Sequence, residues 1–189
     1  GSNTAVGYKA LEANTTASQN VAVGYQAGYS NTTAGNNVLI GYKSGYTGVT
    51  ATQVTGLGSN TLVSNTGSYN TGLGYGAMYA NTSGASNTAV GVEALAANTA
   101  ASNNTAVGYQ SAYSNTTAVQ GTFVGEQAGY SNTTGLGNTF IGSDSGYLNT
   151  TGTRNQFFGK NSGELITTGS KNTIIGAYNG NQGGLDIRT

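Results

Sequence analysis

The chain has 189 residues, of which only 6 % are charged, with 32 glycines, no proline and a formal net charge of zero; ordinary soluble domains are roughly a quarter charged. Six Lys plus Arg against six Asp plus Glu provide no cationic cluster for counterion release, so nucleic-acid binding is not expected. The absence of Cys and His excludes disulfides, thiolate metal sites and Ser-His or Cys-His nucleophile systems, and no run of about 18 apolar residues is present to insert into a membrane.

In chain order, an apolar residue followed by glycine recurs from end to end. The glycines are Gly7, Gly24, Gly41, Gly58, Gly74, Gly91, Gly108, Gly125, Gly142, Gly159 and Gly176. The step is 17 residues throughout, except for 16 between Gly58 and Gly74, which makes eleven copies. The residue before each glycine is Val6, Val23, Ile40, Leu57, Leu73, Val90, Val107, Val124, Ile141, Phe158 or Ile175. Three before the glycine Thr dominates, as at Thr4, Thr88, Thr105, Thr139 and Thr173. Four before it Asn dominates, as at Asn20, Asn37, Asn87 and Asn155, and seven after it Asn returns, as at Asn31, Asn81, Asn115 and Asn132.

A period of 17 is too short for helical-pair repeats, which run to 33 residues or more. Thr and Val stand two apart, then Tyr, Ala and Tyr stand two apart, and alternation at period two predicts strands. Each copy is therefore expected to form two short strands joined at glycine, followed by an Asn-Thr-Thr loop. One such coil buries nothing alone. Stacked coils pair each strand with its equivalent at about 4.8 Å, and identical side chains then form columns. The expected fold is all-β, a parallel β-solenoid of eleven coils over residues 1–181, followed by an exit segment over 182–189. Val49–Val63 departs from the pattern: Gly48 and Val49 replace the Asn-Thr pair and Val54 replaces Asn. The copy ending near Ile166 lacks the loop Asn. These copies are expected to bulge or turn outward.

The residue two before each glycine forms a second column free of polar side chains. It includes Ala5, Ala22, Leu39, Ala89, Ala106, Phe123, Phe140, Phe157 and Ile174. A strand apolar on both faces needs cover on both. These residues are therefore the candidate subunit interface, with a second copy of the chain as the cover. A second candidate surface is the Tyr column of Tyr29, Tyr46, Tyr79, Tyr113, Tyr130 and Tyr147. Rows of rigid, amphipathic Tyr suit glycan contact. They also suit packing ladders or the lining of a subunit junction, and packing is the reading favoured here. The companion row holds Tyr8, Tyr25, Tyr42, Tyr75 and Tyr109.

Catalysis is not expected. The acids Glu12, Glu93, Glu126, Asp144, Glu164 and Asp186 are spread thinly, and only Glu126 and Asp144 fall one coil apart. No cofactor and no metal is expected. The Asn-x-Ser/Thr tripeptides at Asn14, Asn31, Asn81, Asn115, Asn132 and Asn149 occupy one repeat column, so structural need accounts for them.

The wording Asn-Thr-Ala-Val-Gly-Tyr, at Asn3–Tyr8 and Asn104–Tyr109, resembles the YadA-type head repeat of trimeric autotransporter adhesins. It also resembles the related repeats of bacteriophage tail-fibre proteins. The terminal Gly184–Thr189 resembles the exit segment after such repeats. The resemblance covers essentially the whole chain, although adhesin head repeats are usually a few residues shorter. It implies a left-handed β-roll whose three subunits share one core, a homotrimer. It further implies an extracellular rod, on a virion tail fibre or a bacterial cell surface, that contacts a host glycan or protein receptor. The competing expectation is a monomeric ligand-binding solenoid such as an ice-binding protein, for which regular Thr columns on a flat face are the motive.

Overall fold

The computed structural model describes residues 1–48 and 50–180. The exit segment expected over 182–189 lies outside the described residues. Eleven three-residue strands follow one another: β1 (Thr4–Val6), β2 (Val21–Val23), β3 (Val38–Ile40), β4 (Thr55–Leu57), β5 (Thr71–Leu73), β6 (Thr88–Val90), β7 (Thr105–Val107), β8 (Thr122–Val124), β9 (Thr139–Ile141), β10 (Gln156–Phe158) and β11 (Thr173–Ile175). They form one parallel sheet in sequential order, each strand paired with its equivalent in the next coil. The fold is a parallel β-solenoid, as the 17-residue period requires.

The period sets the register. Thr88 pairs with Thr105, Ala89 with Ala106 and Val90 with Val107. Where the step shortens to 16, Thr55 still pairs with Thr71 and Leu57 with Leu73. The missing residue comes out of the loop, where Asn70 Nδ2 donates to Asn65 Oδ1 five positions back. Val49 lies outside the described residues, and the described part of that coil, around Val54, does not bulge. Val54 is buried in the Asn column, and its N–H donates to Asn37 Oδ1 at 2.9 Å. The coil with Ile166 in place of the loop Asn also keeps its turn, with Ile166 N–H donating to Gly163 O at 3.0 Å, and β10 and β11 stay in register.

Among the described residues each coil has one strand, not two. The Tyr-x-Ala-x-Tyr segment is a chain of turns. Positive φ recurs at the second and fourth residues after the column glycine, as at Glu93 (56°) and Leu95 (52°), and at Gln110 (51°) and Ala112 (52°). Side chains therefore alternate at period two without the extended backbone that period two normally signals. Hydrogen bonds between coils continue through these turns: Gln110 N–H donates to Val92 O at 2.9 Å, and Ala112 N–H to Ala128 O at 2.9 Å. Left-handed non-glycine residues cost roughly 1–2 kcal/mol each, and this lattice of backbone bonds holds them in place.

The interior is narrow and packs by exchange of volume. The strand residue two before the glycine faces the residue four after it across the coil. Where the first is large, the second is glycine: Leu39 with Gly45, Phe123 with Gly129, Phe140 with Gly146, Phe157 with Gly163. In three coils where the first is small the second is large: Gly56 with Leu62, Gly72 with Met78, Ala89 with Leu95. Ala22 with Gly28 and Ala106 with Ala112 are both small, and the space at Gly28 is taken by Leu11 and Leu39 of the neighbouring coils. A Cβ at Gly146 would lie 2.5 Å from the Phe140 ring, and one at Gly45 2.7 Å from Leu39 Cδ1. The phenyl column continues between coils, with Phe140 and Phe157 stacked at 4.8 Å.

Buried Asn supplies the polar framework. Asn87 Oδ1 accepts from Asn104 N–H at 3.0 Å, and Asn87 Nδ2 donates to Ala101 O at 2.8 Å, so one side chain ties the loop of its coil to the next. The second Asn column closes the loop on itself, as Asn31 Nδ2 donates to Ala34 O at 2.9 Å. A buried amide held in this way satisfies backbone groups that the short strands leave unpaired.

Candidate functional site

The interior column already described contains the residues expected at a subunit interface. Ala22, Leu39, Ala89, Ala106, Phe123, Phe140, Phe157 and Ile174 are all buried by their own chain, and the three phenylalanines have no exposed surface. Ala5 alone is exposed, in the open first coil. This corrects the expectation. These side chains face inward onto the turn segment of their own coils, so no second copy is needed to cover them. The volume exchange between positions six apart was the signal, since only residues that share one core trade size.

The apolar row that does face out is the other one, immediately before the glycine. Val6, Leu57, Ile141 and Ile175 are exposed, and Val23, Ile40, Leu73, Val90, Val107, Val124 and Phe158 are half-buried. Beside it on the same sheet face runs the Thr row, with Thr55, Thr71, Thr88, Thr122 and Thr139 half-buried and Thr4, Thr105 and Thr173 exposed. The result is a face of two parallel rows, one of Thr interrupted by Val21, Val38 and Gln156, and one apolar along all eleven strands, with Phe158 among its aliphatic side chains.

Beyond the glycine corner lies a second face made from the turn segment. Two Tyr rows flank a row of polar side chains. Tyr8, Tyr25 and Tyr42 stack at 5.3 Å. Tyr29 stacks on Tyr46 at 5.2 Å, and Tyr113, Tyr130 and Tyr147 stack at 5.2 and 5.1 Å. These distances sit near the strand spacing of about 4.8 Å, as a ladder locked to the coil repeat must. Of the six tyrosines singled out, five are half-buried, while Tyr79, which has no ring above or below it, is 50 % exposed.

The polar row between them holds Lys9, Lys43, Glu93 and Asp144. Lys43 Nζ lies 5.4 Å from the Tyr42 ring centroid and 5.2 Å from that of Tyr46. Lys9 is placed likewise over Tyr8 and Tyr29, and the Glu12 carboxylate 3.7 Å away raises its pKa. Gln127 Nε2 donates to Gln110 Oε1 at 3.1 Å, and Gln110 Nε2 to Glu93 Oε2 at 2.8 Å. Near Glu93 the rows are interrupted, and a cleft of about 340 Å³ opens between Tyr79 and Tyr113.

Glu126 and Asp144 do lie on neighbouring coils, with Asp144 N–H bonded to Glu126 O at 2.9 Å. Asp144 Oδ2 accepts from Ser143 Oγ at 2.9 Å. Among the described residues no three His, Cys, Asp or Glu side chains gather as a metal site would require, and no helix is long and apolar enough to cross a membrane. The glycosylation-type tripeptides have their Asn buried at Asn31, Asn81, Asn115, Asn132 and Asn149, and Asn14 is half-buried. The chain matches no protein-family model, no curated protein and no solved structure.

Proposed function

We propose that this chain is a structural and adhesive rod, a segment of an extracellular homotrimeric fibre of the kind found in bacteriophage tails or on bacterial surfaces. In this reading it has no catalytic role, and its coils wind left-handedly. The observation that carries the proposal is the outward aliphatic row from Val6 to Ile175. Eleven strands place that row along roughly 50 Å of one face. A continuous apolar strip of that length marks a contact surface. Three chains that turn this face to a common axis would cover it and leave the Tyr face outermost, toward a host glycan or protein. The number three and the handedness follow the resemblance of the repeat wording.

The test is absolute mass in solution by light scattering behind a sizing column. The expected value is three times the 18.9 kDa of one chain. Val90→Lys with Val107→Lys places two charges in the row and is expected to give folded single chains with an unchanged far-ultraviolet spectrum. A wild-type chain of single mass at micromolar concentration would remove the proposal.

The Thr and aliphatic rows side by side on one sheet face also favour a second reading, a monomeric ice-binding solenoid. Measurable thermal hysteresis from the single-mass species would support it, and none at millimolar concentration would end it.

A further inference from the structure

On the Tyr face the repeat places tyrosine five residues after the column glycine, as at Tyr79, Tyr113, Tyr130 and Tyr147. In the coil that starts at Gly91 this position is Ala96. Tyr79 and Tyr113 therefore stand two coils apart, roughly 9.6 Å, with the ring that would lie between them missing. One step toward the polar row, Gly76 likewise offers no side chain. The two omissions merge into the cleft of about 340 Å³, lined by Tyr75, Gly76, Tyr79, Glu93, Ala96 and Tyr113. That volume falls at the lower end of small-molecule sites, about 300–1,000 Å³.

Gly76 stands at φ +63°, a left-handed position that Glu93 and Gln110 occupy with side chains in the next two coils, and a Cβ there would meet only Glu93 Cγ, at an ordinary 3.5 Å. At the Ala96 position a tyrosine has a seat already built, since Tyr113 and Tyr130 stack at 5.2 Å with planes 8° apart one coil further on. The neighbouring break in the row, at Val63, carries a branched side chain, whereas Ala96 leaves the space open. The gap is thus an opening about one ring thick between Tyr79 and Tyr113.

The chemistry at its rim is polar. Gln110 Nε2 bonds one oxygen of the Glu93 carboxylate at 2.8 Å, and Gln127 holds Gln110 in turn. This rail fixes the Glu93 carboxylate, which lines the gap. Tyrosine rings on both sides suit the C–H faces of a saturated ring, and a fixed carboxylate accepts from vicinal hydroxyls at its edge. A purely aromatic guest would have no use for the second set of groups. We propose that the gap between Tyr79 and Tyr113 is a binding slot for one pyranose ring of a glycan, with Glu93 accepting from its hydroxyls. It deepens the reading of the Tyr face as the host-contacting face.

The experiment uses the whole chain with methyl glucoside, methyl galactoside, methyl mannoside and p-cresol, each titrated to 50 mM and followed by saturation-transfer and Tyr-ring NMR. The expected result is saturable binding of at least one glycoside, with shifts centred on the Tyr79 and Tyr113 rings. Ala96→Tyr restores the ladder and should abolish binding without lowering the unfolding midpoint. Tyr79→Ala should weaken binding at least tenfold, Glu93→Gln should weaken it less, and Tyr130→Ala, outside the slot, should leave it unchanged. No saturable glycoside binding, binding of p-cresol alone, or glycoside binding that survives Ala96→Tyr would each overturn the proposal. Its failure is separate from that of the rod: a single-mass chain that binds sugar keeps the slot, and a trimer that binds none loses it.

Discussion

Gly108 has φ at +135°, and a Cβ there would lie 2.4 Å from the carbonyl oxygen of Gly125 in the next coil. Both the backbone conformation and the space forbid a side chain. The neighbouring carbonyl cannot retreat either, because the coils are fixed by bonds such as Gly108 N–H to Val90 O at 2.8 Å. Gly108→Ala is therefore expected to cost about 3 kcal/mol, read as a lowered midpoint in thermal unfolding. The interior offers a finer test. Leu39→Ala should cost about 2–4 kcal/mol as a cavity, and Gly45→Leu alone should destabilise by overpacking against Leu39. The pair together reproduces the arrangement of Ala89 with Leu95, and leucine already occupies this left-handed position at Leu62 and Leu95. The double variant should thus recover most of the loss, as a favourable coupling in a double-mutant cycle. Simple additivity of the two losses would show that these positions do not share a core.

At the level of elements, three-residue strands are too short to be stable in isolation. What makes them strands is the pairing of each with its equivalents on both sides, and the Asn columns that bind the loops between them. The same lattice explains how the turn segment keeps so many non-glycine residues at positive φ. Each coil is locked by neighbours with the same requirement, so a local conformation of modest cost is repeated along the rod. The single 16-residue coil shows where tolerance lies: the loop between Asn65 and Asn70 absorbs the deletion, and the strand register does not move. Loops carry length changes because their backbone groups have alternative partners, whereas a slip of one residue in a strand would turn Phe123 or Phe140 outward.

Over the whole molecule, every strand touches only its sequence neighbours. Stability should then grow as a sum of coil and interface contributions. Removal of residues 92–108, one full repeat, is expected to leave a folded rod one step shorter, with a slightly lower midpoint and an unchanged circular dichroism spectrum per residue. Removal of residues 92–99, half a repeat, should break the columns and abolish cooperative unfolding. The full-repeat deletion would also bring Tyr79 and Tyr113 onto adjacent coils and close the cleft between them.

The 17-residue spacing of glycine was enough by itself to determine a parallel solenoid and its register, because a period shorter than a helical pair leaves stacking of equivalent strands as the way to pair the backbone. The columns of Asn and Tyr were legible for the same reason. Which strand face is the interior was written only in the size exchange between positions six apart, such as Leu39 with Gly45 and Ala89 with Leu95. Both faces are apolar, and the row of Val, Ile and Leu reads as core at least as well as the row of Ala and Phe. The direction of curvature decides between them, and it is set where the turn segment folds back to place Gly45, Leu95 or Gly163 against the strand. The turn itself was hidden because alternating positive φ gives the same side-chain period as a strand. The cleft at Ala96 needed the third dimension too: an alanine in a repeat is unremarkable in one coil and becomes an opening only when the rings of Tyr79 and Tyr113 stand on either side of it.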